Sequence, residues 1–207
     1  QPCVSIVGCS TPAGLYRALS SQDVTNGLLS RFVLFDAGDN DPLVTTPKKI
    51  QKPQSVIDWL SAWHKRPLNE NPVAMEGGEL IIDPFVVQMT DEALLIATEF
   101  EKEMHQRKIV SRSHGTDALY VRALENALKF ALVAACSVPT TNEERPQIDL
   151  MSLVVNRETM KWACDLSRST IVAMETGVRN EIVDSEYQNK MRNLRQAIEK
   201  AGSRGLS

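Results

Sequence analysis

The strongest constraint on the fold is a series of long helical patterns that begins at residue 90. The tetrapeptide Thr-Asp-Glu-Ala at 90–93 is typical of a helix N-terminus, because threonine caps well and the acidic residues occupy the first turn. The hydrophobic patterns predict helices over about 90–111, 117–137, 156–181 and 185–201. The rear of the chain is therefore predicted to be entirely helical.

The front of the chain has a mixed pattern. β-favouring residues cluster at 2–10 and 32–35 and predict two strands, and 79–89 is expected to hold one or two short strands. Short helices are predicted over about 12–20, 22–31 and 55–66. The predicted fold class is mainly α with a small α/β N-terminal part.

Composition is ordinary for a globular protein and excludes several classes. The 207 residues are 43% hydrophobic and 24% charged, and the net charge of −3 means that any nucleic-acid surface must be local. The four cysteines form no Cys-x-x-Cys pair and the three histidines lack ligand spacing, so we expect reduced thiols and no metal site. Without a signal peptide or a bilayer-length apolar run, a cytoplasmic protein with no membrane partner is expected. The chain begins at Gln1 in a strand-like segment, and we expect it to be a piece of a longer protein.

Arg31 occupies an unusual place, between an apolar helix-like segment and the predicted strand at 32–35. An arginine is almost never fully buried unless another group pairs with it. One interpretation is structural, in which Arg31 caps the preceding helix or pairs with Asp36 or Asp39. The other interpretation is functional and depends on the resemblance described below.

The predicted helix around Arg122 has one charged face and one apolar face. The spacing of Arg122, Glu125 and Lys129 predicts a solvated ladder of ion pairs. The apolar row expected to pack on a core consists of Val121, Leu124, Leu128, Ala131, Leu132 and Ala135.

Two basic clusters are candidate nucleic-acid contacts. The first cluster, Arg107, Lys108 and Arg112, lies at a helix end, where the helix dipole also favours positive charge in a merely solvated terminus. The second cluster belongs to the last helical pattern and consists of Lys190, Arg192 and Arg195. That helix, with the glycines after it, resembles the opening of a winged-helix domain, so DNA is the expected partner.

The order of these motifs resembles the last third of the ATPase core in replicative helicases of the minichromosome-maintenance type. In those helicases a strand ends in an Asn-Pro-x-x-Gly turn, and a Leu-Leu-Ser-Arg-Phe segment precedes another strand. The corresponding residues here are Thr11-Pro12-Ala13-Gly14 and Leu28-Leu29-Ser30-Arg31-Phe32. A lid pattern of Arg-x-Leu-Glu corresponds to 122–125. The chain is more similar still to the C-terminal parts of prophage and mobile-element proteins that join a primase to a helicase-like ATPase, which share a Trp-Ala helix, here at 162–163.

The resemblance implies a fragment of a P-loop ATPase core over 1–89, a helical lid or bundle over 90–183 and the start of a winged-helix domain over 184–207. The implied function is ATP hydrolysis coupled to DNA replication in a ring-shaped homo-oligomer. ATP and Mg²⁺ are implied for the longer protein. The fragment alone is expected to bind neither and to be inactive, because it lacks a G-x-x-x-x-G-K-S/T loop.

The resemblance also implies three roles in hydrolysis. Arg31 would be an arginine finger that acts on ATP held by the neighbouring subunit. Arg122 would be a lid arginine that contacts the γ-phosphate. Thr11, at the end of the first predicted strand, would be a polar sensor, with Ser10 an equal candidate because the helicases carry asparagine here.

Two other functions stay open. A helical adaptor without a nucleotide role would dock a partner on the apolar face that carries Trp59 and Trp63. A small-molecule enzyme has little support, because no nucleophile–base set or carboxylate pair stands out. Exposed arginines at 31 and 122 would favour the ATPase, and internal carboxylate partners for both would favour the adaptor.

Overall fold

The structure is a computed structural model that describes residues 6–37, 52–64, 74–76, 79–81, 86–137 and 153–182, with 194, 197 and 198. It is mainly helical, as predicted. The described helices are α1 (Pro12–Arg17), α2 (Ser21–Thr25), α3 (Gln54–His64), α4 (Asp91–Ser111), α5 (Ala123–Ala135) and α6 (Arg157–Glu181). Among them, none combines the length and the apolar character that a membrane crossing needs.

Strands are few and short in the described part of the chain. The strands β1 (Ala74–Glu76) and β2 (Glu79–Ile81) form an antiparallel pair. The strands β3 (Gln88–Met89) and β4 (Val154–Val155) form a parallel pair, in which Gln88 lies opposite Val154. The prediction of short strands within 79–89 is therefore confirmed.

The long helices begin and end close to the predicted positions because their signals are local. Thr90 Oγ1 accepts a hydrogen bond from the Ala93 N–H at 3.2 Å, and α4 begins at the next residue. Asn156 Oδ1 accepts one from the Thr159 N–H at 2.9 Å at the start of α6. The predicted helix over 117–137 is split into a 3-10 turn, Asp117–Tyr120, and α5.

The strands predicted over 2–10 and 32–35 are wrong for the residues that the structure describes. Residues 6–10 and 32–35 have no strand assignment, and Val7 and Phe35 are 96% and 69% exposed. Phe32 has an extended backbone, with φ −102° and ψ 152°, so the local conformation suits a strand. A strand also needs a neighbour to receive its backbone hydrogen bonds, and the described residues place none beside these segments. The predicted α/β sheet of an ATPase core is consequently not found in the described part.

The chain divides into two compact units. The first comprises Gln1–Asp36, Phe100–Asn126 and Leu166–Ser207, and the second comprises Ala37–Glu99 and Ala127–Asp165. Buried apolar residues of the first unit are mostly bulky and include Tyr16, Val24, Leu29, Phe100, Met104, Leu119, Tyr120, Ile171, Met174 and Val178. Those of the second unit are mostly small and include Ala62, Ala93, Ala97, Ala127, Ala131, Ala135, Ala163 and Cys164. The predicted boundaries after residues 89 and 183 stay predictions.

The predicted apolar row of α5 is fully buried only at Ala131 and Ala135. Four alanines at four-residue spacing are buried along this helix: Ala123, Ala127, Ala131 and Ala135. Three of the larger side chains predicted to pack are instead exposed: Val121, Leu128 and Leu132. Small side chains in line let neighbouring backbone approach closely, and this close packing outweighs the larger area of the leucines beside them.

Candidate functional site

Arg31 ends a short 3-10 turn, Leu29–Arg31, whose other two residues are buried. Leu29 and Ser30 are 2% and 4% exposed, whereas Arg31 is exposed. The turn follows Gly27, whose φ of 71° lies in the left-handed region that favours glycine. The buried pair therefore fixes the backbone from which the Arg31 side chain extends.

The Gly27 carbonyl oxygen collects two hydrogen bonds from this turn. Ser30 Oγ donates at 2.8 Å and Arg31 Nη1 donates at 2.6 Å. This geometry agrees with the capping interpretation of Arg31. None of the ion pairs among the described residues involves Arg31, and Asp39, one of its predicted partners, lies outside those residues. Since a guanidinium has five N–H donors, most of its hydrogen-bonding capacity faces solvent.

Arg122 is paired within its own part of the chain. Its Nη1 lies 3.1 and 3.0 Å from the two carboxylate oxygens of Glu125, and both side chains are partly exposed. The predicted ion pair between these two residues is confirmed. An exposed pair of this kind contributes only about 0.2–1 kcal/mol, so it holds the arginine weakly.

Thr11 caps α1. Its Oγ1 accepts a hydrogen bond from the Gly14 N–H at 3.1 Å, and Pro12 takes the first helical position. A Cβ at Gly14 would lie 2.9 Å from Thr11 Oγ1, which explains the glycine at this point. Helix capping alone accounts for the Thr-Pro-Ala-Gly order, and both Thr11 and Ser10 are exposed.

The turn that carries Arg31 packs against the 3-10 turn Asp117–Tyr120, which ends two residues before Arg122. The helix α2 packs on the same turn. Arg31 and Arg122 therefore belong to neighbouring parts of the first unit. Within the described residues, the polar contacts of Thr11, Arg31 and Arg122 are all local, and none joins two of these candidates.

A carboxylate that the motifs did not indicate organises this region. Glu175 Oε1 accepts hydrogen bonds from Ser111 Oγ at 3.1 Å and Thr116 Oγ1 at 2.8 Å, and it pairs with Arg179 Nη2 at 2.8 Å. Glu175 Oε2 accepts one from the Tyr120 hydroxyl at 2.7 Å. Ser111, Thr116 and Tyr120 are all buried. The α6 carboxylate thus ties down the whole segment from the end of α4 to Tyr120.

The environment keeps Glu175 ionised. Burial by itself would raise the pKa of this carboxyl, but hydrogen bonds from Tyr120 and Thr116 and the charge of Arg179 bring the pKa below its ordinary value. Burial and the hydrogen bond to Glu175 raise the pKa of the Tyr120 hydroxyl. A signal existed in the sequence, since Glu175 falls in the same row of α6 as the buried Ile171 and Val178.

The structure describes three of the six candidate nucleic-acid contacts. Arg107 Nε pairs with Glu103 at 3.0 Å, Lys108 is half-buried and Arg112 is exposed. Glu103 is also bound by Arg168 Nη2 at 2.7 Å, and this hydrogen bond is the main reason that the pKa of Glu103 is lowered. The remaining three candidates lie outside the described residues: Lys190, Arg192 and Arg195.

The tryptophans of α3 are engaged inside the second unit. The indole N–H groups of Trp59 and Trp63 both donate to the Cys136 carbonyl oxygen, at 3.1 and 3.3 Å. Their rings meet edge to face, with centroids 6.2 Å apart. Cys136 directly follows α5, where carbonyl groups lack helical partners. The pair closes the end of this helix, and docking of a partner on α3 stays a prediction.

No protein-family model, curated protein or solved structure matches this chain. No group of three or more histidine, cysteine, aspartate or glutamate side chains among the described residues is arranged to hold a metal ion.

Proposed function

We propose that this chain is the C-terminal part of a phage-type helicase or primase-helicase, and that it supplies an arginine finger to the neighbouring subunit of a ring. The observation that carries the proposal is the exposed Arg31 on a turn anchored by the buried Leu29 and Ser30. Phosphoryl transfer spreads negative charge over the transferred oxygens, and a guanidinium from a neighbour accelerates it by about 10³–10⁵-fold. A finger needs a rigid base, which this turn provides.

The exposed β-favouring segments support the same proposal. Residues 6–10 and 32–35 are extended or irregular, and Ile6 and Val7 are 82% and 96% exposed. Strands of a parallel ATPase sheet are apolar because both of their faces are covered. In the full-length protein, neighbouring segments of such a core would cover these apolar side chains.

The remaining candidates take roles in the same reaction. Arg122 exchanges Glu125 for the γ-phosphate when the lid closes, which the weak exposed pair permits. The Thr11 hydroxyl serves as the polar sensor. The substrate, ATP with its Mg²⁺, is held by a phosphate-binding loop outside this chain. The macromolecular partner is DNA, and the protein acts in the cytoplasm. Among the described residues, the candidate DNA contacts are Arg107, Lys108 and Arg112.

The test is DNA-stimulated ATP hydrolysis by the full-length protein. Arg31→Ala is compared with the wild type and with Arg17→Ala, a matched control at an exposed arginine at the end of α1. We expect Arg31→Ala to bind ATP, to lose about 10³-fold or more in hydrolysis and to suppress wild-type activity beyond dilution in mixed rings. Arg17→Ala should behave as the wild type. Normal hydrolysis by folded Arg31→Ala protein would reject the finger.

A helical interaction module without a nucleotide role is the second candidate. Its support is an apolar row on α3, where Val56, Ile57 and Leu60 are 49%, 38% and 55% exposed. Such a row suits the apolar face of a partner helix. This function becomes the preferred one if Arg31→Ala leaves ATP hydrolysis unchanged.

A further inference from the structure

We infer that Glu175 is a positioning residue for Arg31 and acts through the turn Asp117–Tyr120. The inference rests on the proposed function of Arg31 and identifies the contacts that hold its turn in place. The contacts of Glu175 are with Ser111, Thr116, Tyr120 and Arg179, and none of them is with Arg31. Its effect passes through buried side chains of the first unit.

The first step is the attachment of the turn to α6. The two Glu175 oxygens bind Thr116 Oγ1 at 2.8 Å and the Tyr120 hydroxyl at 2.7 Å, on either side of residues 117–119. Thr116 and Tyr120 are 1% and 5% exposed, so water does not compete for these contacts. Hydrogen bonds to an ionised carboxylate are stronger than those between neutral groups. The turn therefore cannot shift unless it gives up at least one strong, buried hydrogen bond.

The second step is the contact between this turn and the arginine turn. Asp117–Tyr120 packs against both α2 and Leu29–Arg31, which lie on either side of Gly27. Val24, Leu29 and Leu119, one from each of these elements, are each 2% exposed. Close-packed side chains transmit displacement because no free volume absorbs it. The position of Arg31 thus depends on the position of the 117–120 turn, which Glu175 sets.

Glu103 provides a matched comparison. It also joins α4 to α6, through the ion pair with Arg168 Nη2 at 2.7 Å, and it also has a lowered pKa. Its hydrogen bonds go to Arg107 and Arg168 and not to the segment 112–120. A comparison of variants at Glu103 and Glu175 therefore distinguishes two effects. One is the loss of any carboxylate between α4 and α6, and the other is the loss of the contacts that support Arg31.

The experiment measures kcat and KM for ATP in the full-length protein at saturating DNA. Glu175→Gln removes the negative charge that strengthens the hydrogen bond between Glu175 and Tyr120, Tyr120→Phe removes that bond altogether, and Glu103→Gln is the control. We expect both test variants to lower kcat by about 10–100-fold, since a small misplacement of a catalytic group has effects of this size. KM for ATP should stay within about twofold, because nucleotide binding does not use the finger. Wild-type kcat in both test variants would overturn the inference.

Mixed rings separate this inference from the proposed function. Each variant is mixed with subunits that are inactive at their own nucleotide site but carry wild-type Arg31 and Glu175. Because the finger acts on a neighbour, we expect the mixture to restore hydrolysis to Arg31→Ala and to Glu175→Gln alike. If the mixture restores hydrolysis to Arg31→Ala but not to Glu175→Gln and Tyr120→Phe, only the positioning role of Glu175 is overturned. Failure to restore Arg31→Ala would overturn the proposed function itself.

Discussion

Gly177 lies inside α6, four residues before the last residue of the helix, where glycine is normally unfavourable. The buried Tyr16 ring of α1 packs directly on it, and a Cβ built at Gly177 would overlap the ring. Helix propensity alone favours alanine over glycine by about 1 kcal/mol. Forcing an extra carbon into a packed site costs about 1–3 kcal/mol, so the steric effect prevails.

We therefore expect Gly177→Ala to lower the free energy of unfolding by up to about 2 kcal/mol, measured by urea denaturation followed by circular dichroism. Thr176→Ala, at the exposed neighbouring position, should change it by less than about 0.5 kcal/mol. In the background Tyr16→Leu the Gly177→Ala change should be much less harmful. A Gly177→Ala protein more stable than the wild type would show that the ring does not occupy this site.

At the scale of elements, the end of α5 depends on a pair of donors from α3. Trp59 and Trp63 both donate to the Cys136 carbonyl oxygen. A carbonyl oxygen has two lone pairs, so either donor alone satisfies it in part. Loss of both donors leaves a helix-end acceptor without its partners from α3, which costs more than the loss of either.

This redundancy predicts a non-additive response. Trp59→Phe and Trp63→Phe keep an aromatic ring and remove one donor each, so each should cost about 0.5–1 kcal/mol of unfolding free energy. The double variant should cost more than the two together, by about 0.5–1 kcal/mol in a double-mutant cycle. Strict additivity in circular-dichroism unfolding curves would contradict a shared acceptor.

The elements also show what the sequence can predict. The limits of α4 and α6 were predictable because Thr90 and Asn156 carry cap signals at the helix start. The absence of a strand at 32–35 was not predictable, since pairing depends on a neighbour that no local pattern specifies. In α5 the predicted row included the buried Ala131 and Ala135, but it also included Leu128 and Leu132, which are exposed. The Glu175 cluster was missed because its hydroxyl donors lie 55 to 64 residues away along the chain.

At the scale of the whole molecule, two carboxylates make stability depend on pH. The pKa of Glu103 is lowered chiefly by its hydrogen bond from Arg168, and the pKa of Glu175 is lowered despite burial by its hydroxyl partners and Arg179. Because the pKa of each carboxyl is lower in the folded protein than in the unfolded chain, its ionised form stabilises the fold at pH values above the ordinary glutamate pKa of 4.5. The contribution is lost as the pH falls through the folded-state pKa.

We expect the free energy of unfolding to fall as the pH is lowered below about 4.5, measured by urea denaturation between about pH 7 and pH 3. Glu175→Gln should be less stable than the wild type at neutral pH but should lose less stability on acidification. The exposed Glu99→Gln controls for the change in net charge. A Glu175→Gln protein with the full wild-type pH dependence would show that this carboxyl does not contribute to it.

The exposed apolar side chains at 6–10 and 32–35 have a practical consequence for work with this chain. A segment that has apolar side chains and no strand partner can pair through its backbone with another chain, which is the first step of aggregation. Ile6, Val7 and Phe35 are more than two-thirds exposed on these segments. When this chain is expressed by itself, its aggregation should rise steeply with protein concentration. Charged substitutions at positions 7 and 35 are therefore the first choice for preparing monodisperse samples.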